Sequence, residues 1–398
     1  MDVTLLGAIG VIVLCAAFDY TNGFHDSANS VATIVATGVL KPRQAVAWAA
    51  GWNFIAFLVF GTAVANTVAK TVDEGTIGLA LIFAAVVGAT LWNLISWHFG
   101  LPTSSSHALV GGLVGAGLMA GGFDAISASS VQKVAVFLVI SPAVGFTLAL
   151  LMMGTLRLAL RNRDEERAQR RFGQAQLVSS ALVSLGHGGN DAQKTMGVIA
   201  AVLIATDRLS SSGDIDVPLW VVLLAHGAIA AGTYAGGWRI VRTMGHRITE
   251  LRPLSGFAAE TSAAVALFVS TQVGAPVSTT QTVAGAIGGA GVANRGTHVD
   301  WRVFRTVVVA WLITVPSAAA IGALTYVVTA ELPVPVAAAV LTLGAAVTAW
   351  LTLRSMRAAP TADDFGPEVI DLTEAMGVAE VVEDEAVDDD VEPDAATG

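Results

Sequence analysis

Residues 96–115, SWHFGLPTSSSHALVGGLVG, return at 270–289 as STQVGAPVSTTQTVAGAIGG, an offset of 174. Ser96, Gly100, Pro102, Ser104, Gly111 and Gly115 recur as Ser270, Gly274, Pro276, Ser278, Gly285 and Gly289. Hydroxyls at Ser105 and Ser106 recur at Thr279 and Thr280. A weaker pair, GFHDSANSVAT at 23–33 and GGNDAQKTMGV at 188–198, keeps Asp26 with Asp191 and Ser30 with Thr195 at an offset of 165. Self-similarity at fixed spacing marks a duplicated architecture. Each half carries, in the same order, an Asp-containing polar break and then a Gly-x-Pro-x-Ser hydroxyl cluster.

Around these motifs the chain is apolar. Of 398 residues, 54% are hydrophobic and 13% charged, against about 25% charged in soluble domains. One soluble core cannot hide that much apolar surface, so the solvent is lipid. Apolar runs cover 3–18, 27–40, 44–69, 77–99, 107–123, 131–156, 176–186, 193–206, 217–243, 256–273, 280–293, 302–330 and 333–353. A spanning helix needs ~20 residues, and several runs are shorter and flank the polar clusters. Such pieces predict broken or re-entrant helices. The expected architecture is an all-α polytopic membrane protein. It comprises an N-terminal membrane repeat (1–156), an Arg-rich linker (157–175), a C-terminal repeat with closing helices (176–355) and an acidic tail (356–398). Met1–Leu6 lack a basic n-region, so the first run reads as a retained helix rather than a signal peptide.

Charge divides along the chain. From Thr361 onward there are 14 acidic residues and no Lys or Arg, while the rest holds 17 acidic and 21 basic residues, a net of +4. The overall −10 describes a tail that reads as a disordered, solvating extension. Six arginines in RLALRNRDEERAQRR, 157–171, place that loop in the cytoplasm by the positive-inside rule, and Arg354 and Arg357 put the tail there too. No basic stripe carries interleaved aromatics, so nucleic acid is not a partner. Cys15 stands alone, which excludes an internal disulfide.

The hydroxyl clusters have the chemistry of an anion site. Proline ends the preceding helix, and the Ser and Thr that follow are good N-caps. A helix starting at membrane depth would then aim free N–H groups, its positive dipole end and hydroxyls at one point. Two such starts, Ser104–Ser106 and Ser278–Thr280, suit a tetrahedral oxyanion. Asp26 and Asp191 lie in apolar surroundings, where an ionisable group costs ~2.5–3.5 kcal/mol or more and marks a pathway. Asn22, His25, Ser27, Asn29 and Ser30 accompany one; His187, Asn190, Gln193, Lys194 and Thr195 accompany the other. Carboxylate, amide and hydroxyl oxygens are the ligands hard cations prefer. Bare carboxylates repel an oxyanion, so a cation or proton must sit between them, which predicts coupled transport. Lys194 could neutralise Asp191 or touch the substrate. Glu260 is a third membrane carboxylate, with Val86 at its repeat position. His107 and His226 read as packing residues or proton relays, and Trp48, Trp52, Trp92, Trp97 and Trp311 as packing or interface residues.

NGFHDSANSVAT at 22–33, LWNLISWHFGLPTSSSHALVGG at 91–112, GHGGNDAQKTMG at 186–197, and GLPTSSSH with its twin GAPVSTTQ together resemble the inorganic phosphate transporter (PiT) family, of bacterial low-affinity type. The resemblance runs from about residue 10 to 325. It implies two inverted repeats with paired re-entrant hairpins, and phosphate held between the hairpin tips near the midplane. Uptake would be driven by H⁺ or Na⁺, with no resident cofactor or metal. By this resemblance Ser104, Ser105, Ser106, Ser278, Thr279 and Thr280 bind substrate, with Gln193 and Lys194 beside them. Asp26, Asn22, Asn29, Asn190, Asp191 and Glu260 couple the cation. NGFHD and NDAQK resemble proton-linked members more than sodium-linked ones. Free phosphate or a metal–phosphate complex, and a monomer or a homodimer, all remain compatible. A sulfate permease of the same family is the closest rival, a passive channel another. An intramembrane serine hydrolase at Ser104–His107 lacks a Gly-x-Ser-x-Gly elbow, and the twin of His107 is Gln281.

Overall fold

The computed structural model describes residues 3–69, 76–210, 215–275, 277–294 and 297–365. Pro276 and the acidic tail beyond Phe365 lie outside them. Among the described residues, six helices are long and apolar enough to cross a membrane, or eight if each of two bent pairs is one span.

The polar Asp stretches do not break their helices. Asp26 lies within α1 (Val3–Ala36) and Asp191 within α7 (Glu165–Ala205), both continuous. Gly, Asn and Asp cost a helix at most about 1 kcal/mol each. Unpaired N–H and C=O groups in lipid cost several, so the intact helix is the cheaper solution. The breaks fall elsewhere. Helix α2 (Pro42–Ile55), prolonged to Leu58, bends by 86° into α3 (Ala63–Ala69). Helix α8 (Leu219–Ala235) bends by 63° into α9 (Trp238–Arg242) and a π-turn ending at Arg247.

Each hydroxyl cluster joins two arms of a helical hairpin: α4 (Leu79–His98) with α5 (Ser105–Gly121), and α10 (Pro253–Gln272) with α11 (Thr279–Ala293). The first arms end on glycine, ahead of the proline that was expected to stop them. Gly100 and Gly274 adopt φ of +65° and +67°, conformations that only glycine takes without strain. The N–H of Leu101 bonds the carbonyl of Ser96, and that of Ala275 bonds the carbonyl of Ser270, closing the same cap twice.

After each hairpin comes a long helix carrying an internal proline: α6 (Ala128–Leu160) with Pro142, and α12 (Trp301–Glu331) with Pro316, again 174 residues apart. The final α13 (Val334–Arg357) has no counterpart. Residues 157–175, expected as a loop, are helical except for the turn 161–164, where the Asp164 carboxylate caps α7.

The halves are interlocked. α6 packs along the second hairpin and α12 along the first, while α1 crosses α8 and α7 crosses α2. The twin glycines of the Asp motifs make those crossings close. A Cβ on Gly23 would sit 2.1 Å from the Ile229 carbonyl, and one on Gly188 2.5 Å from that of Asn53. Two large apolar clusters flank the result. On α1 one ends at Phe18 and the other begins at Phe24. The polar residues occupy the gap.

Candidate functional site

On α1, Asp19, Asn22, Asp26, Asn29 and Thr33 recur at alternating spacings of three and four, which aligns them on one helix face. All are buried. Asp26 and Asp191 converge with His187 so that one ligand atom from each lies within 4.8 Å of the others. The first turn of α11 grips both acids: Thr280 Oγ1 donates to Asp26 Oδ2 at 3.2 Å, and Thr279 Oγ1 donates to Asp191 Oδ2 at 2.9 Å. Asn29 Nδ2 donates to both threonine hydroxyls, at 3.3 and 3.1 Å.

Lys194, 3% exposed, ties this cluster to both hairpins. Its Nζ donates to Asp191 Oδ1 at 2.5 Å, to Ser106 Oγ of the first hairpin at 2.5 Å and to the Val277 carbonyl of the second at 2.9 Å. Asn29 is the repeat twin of Lys194 and Thr280 that of Ser106. Each half's Asp helix therefore reaches the other half's hairpin through the same pair of positions.

A histidine stands beside each acid. His25 Nδ1 lies 2.6 Å from Asp26 Oδ1, and its Nε2 contacts Ser96 Oγ at 3.0 Å and Thr103 Oγ1 at 3.3 Å. His187 Nε2 approaches Asp191 Oδ2 at 3.2 Å.

The remaining sequence-selected residues divide. Ser104 and Ser278 are N-caps, accepting the backbone N–H of His107 and Gln281 at 3.2 Å each. Ser105 Oγ is buried and lacks a hydrogen-bond partner among the described residues, as do Asn29 Oδ1, Asn190 Oδ1 and both polar ends of the twins His107 and Gln281. Buried polar atoms are normally satisfied, and a group of orphans at paired helix starts is what a polar ligand would complete. Asn190 Nδ2 holds the second hairpin through Thr271 Oγ1 at 3.0 Å. Gln193 is turned elsewhere, accepting the Val64 N–H and donating to the Gly189 carbonyl.

Asn22 donates to Asp19 Oδ1 at 3.4 Å, one turn before Asp26. Glu260 stands apart in a cage of Thr33, Gln176 and Ser179; Thr33 is seven residues, about 10 Å, along α1 from Asp26. His226 packs edge-on against Phe57 and bonds the Val222 carbonyl. Trp92 and Trp311 brace the first hairpin, donating to Thr314 and to the Pro102 carbonyl. Asp19 escaped the sequence reading although its spacing of seven from Asp26 on an apolar helix was a signal for it.

Ser104 and His107 do not form a nucleophile–base pair: Ser104 accepts from the backbone of His107, whose ring nitrogens have no hydrogen-bond partner among the described residues. A polytopic helical bundle with two hydroxyl-bearing helix starts set over buried acids and a buried lysine is the arrangement of a membrane carrier. The chain belongs to the phosphate transporter family, whose model matches residues 22–167 and 159–322. It is 50% identical over 329 residues to a probable low-affinity inorganic phosphate transporter of Rhizobium meliloti, covering 82% of this chain and 98% of that one. It is 38% identical to a protein of the same description from Bacillus subtilis, with the same coverage. Among solved structures it resembles one titled the sodium-dependent phosphate transporter, with a TM-score of 0.73 and 25% identity over 82% of this chain and all of that one.

Proposed function

We propose that the chain takes up inorganic phosphate in symport with a cation, holding the anion between the hairpin tips at the membrane midplane. One observation carries this reading: Lys194 is bonded at once to Asp191 and to both hairpin tips. It supplies one fixed positive charge and charge-assisted donors. Ser105, Ser106, Thr279 and Thr280 add hydroxyls, and the first turns of α5 and α11 add free N–H groups.

Two buried carboxylates beside a divalent anion require more positive charge than Lys194 provides. The coupling cation supplies it, either as a metal ion among Asp26, His187 and Asp191 or as a proton in the same cluster. The anion's own proton can be donated to Asp26 or Asp191, which favours phosphate over the fully ionised sulfate. Sidedness follows from charge. Arg252 pairs with Glu165 of the 157–171 segment and Arg43 with Asp363 beyond Arg354 and Arg357, and the positive-inside rule assigns this arginine-rich side to the cytoplasm. The reciprocal packing supports two halves of inverted topology.

The test is phosphate uptake by proteoliposomes under imposed Na⁺ or pH gradients, with sulfate as competitor. Uptake should be accelerated by one gradient and left unaffected by sulfate. Indifference to both gradients would overturn the coupling scheme.

A further inference from the structure

Helix α13 stands off from the bundle and leaves a continuous groove against α1, α4 and α12. One section, of about 750 Å³, runs between Phe83 and Val87 on one side and Val340 and Gly344 on the other. It continues, sharing Leu91, Leu94, Thr348 and Thr352, into a section of about 690 Å³ that reaches His98 and Arg354. From Val340 to Ser355 the groove follows α13 for about 22 Å, longer than the ~15 Å of hydrocarbon in one leaflet. Its walls are almost wholly apolar.

At one end the groove opens onto a basic cleft. Phe99, Arg239 and Ala358 line both the groove and a further space of about 310 Å³ that includes Arg242, Thr243 and Arg247. Arg239 is committed to structure: it donates to the carbonyls of His98 and Ser355, tying the end of α4 to the end of α13, and lies 5.4 Å over the Trp97 ring. Arg242 and Arg247 are exposed and make no ion pair at bonding distance among the described residues. Arg354 lies over Trp350 at the same end. An apolar channel long enough for the acyl chains of one leaflet, leading at one end to exposed arginines, has the shape and charge of a bound amphiphile with an anionic head.

We propose that this is a site for an anionic glycerophospholipid of the cytoplasmic leaflet, its acyl chains between α13 and the bundle and its phosphate on Arg242 and Arg247. The acidic tail is the competing occupant of the cleft, since the chain passes its rim at Asp363, which pairs with Arg43 at 3.1 Å. A segment bearing 12 acidic residues after Phe365 cannot follow the groove into hydrocarbon, where charged groups are expelled. The lipid fills both parts. Phe24 and Tyr20 on the groove wall are the outward neighbours of Asn22 and Asp26 on α1, so the lipid braces the helix that carries the site.

The full chain, reconstituted in vesicles of phosphatidylcholine with phosphatidylglycerol and re-purified, is analysed for retained lipid by mass spectrometry. Each arginine near the headgroups contributes about five-fold to anionic lipid binding. Retained phosphatidylglycerol should therefore be enriched over phosphatidylcholine by about ten-fold or more. Arg242→Gln with Arg247→Gln should bring the ratio close to that of the vesicle. Arg302→Gln with Arg305→Gln, at the same end but outside the cleft, should leave it unchanged. Gly344→Trp, filling the groove, should reduce retained lipid with the arginines intact. An unaltered ratio in the Arg242/Arg247 variant, or an equal fall in the control, would overturn the site. Enrichment only after deletion of 366–398 would assign the cleft to the tail instead. Cysteine crosslinks between α13 helices of two copies at Val347 would assign the groove to a second subunit.

Discussion

Replacing Lys194 by Met keeps the length and volume of the side chain and removes its charge. Asp191, 1% exposed, then loses the ammonium 2.5 Å from Oδ1 while keeping Thr279 and His187 on Oδ2. Removing one partner of a buried ion pair costs about 3–5 kcal/mol, because the other charge is left uncompensated. Ser106 Oγ and the Val277 carbonyl lose their donor as well. For transport, a lost charge-assisted hydrogen bond to phosphate is worth about 1.5–3 kcal/mol, on the order of ten- to a hundred-fold in apparent KM. Asp191→Asn in the Lys194→Met background removes the orphaned charge, and removing both partners of a buried pair is often near neutral. The double variant should thus recover most of the stability lost by Lys194→Met and none of the uptake. The assays are thermal unfolding in detergent and uptake of labelled phosphate into proteoliposomes for the full double-mutant cycle. A Lys194→Met protein as stable as the parent, or a double variant that transports normally, would refute the assignment of Lys194 as both counter-ion and substrate donor.

Asp26→Asn and Asp191→Asn should each insert normally and abolish uptake, since the cluster that holds the coupling cation loses a charge; membrane yield and uptake measured together check this. Ser104→Ala and Ser278→Ala should each cost about 1 kcal/mol of stability as lost N-caps, seen in melting curves. Ser105→Ala, whose hydroxyl has no hydrogen-bond partner among the described residues, should leave melting unchanged and raise the KM for phosphate. Gly23→Ala and Gly188→Ala drive a methyl into a facing backbone carbonyl, costing about 1–3 kcal/mol and displacing the Asp helices, so melting and uptake should fall together. A chain ending at Phe365 should retain uptake, because the partners of Asp26 and Asp191 among the described residues lie between His25 and Thr280; a loss of uptake would give the tail a role in transport.

Much of this is legible in the sequence alone. Composition dictated a lipid-solvated helical chain, because apolar area on that scale has no other solvent. The two offsets, 165 and 174, announced a duplicated architecture, and the Ser and Thr after each Pro announced helix starts, which Ser104 and Ser278 cap as expected. Asp26, Asp191 and Lys194 stood out because ionisable groups in apolar sequence are costly. Local chemistry is written in local sequence.

What needed the tertiary structure was everything set by contacts between distant residues. Whether a polar stretch breaks a helix depends on what packs against it. α1 and α7 run unbroken through their Asp motifs, whereas the bends fall at Val59–Thr62 and Gly236–Gly237. Gln193 and Glu260 carry suitable chemistry but are engaged elsewhere, by the Val64 N–H and by Thr33, Gln176 and Ser179. The pairing of Lys194 with the first hairpin and of Asn29 with the second arises because the halves interlock, each giving its long helix to the other's hairpin. Sequence specifies which groups are present at each turn of a helix; only the packing of one helix on another decides which of them face each other.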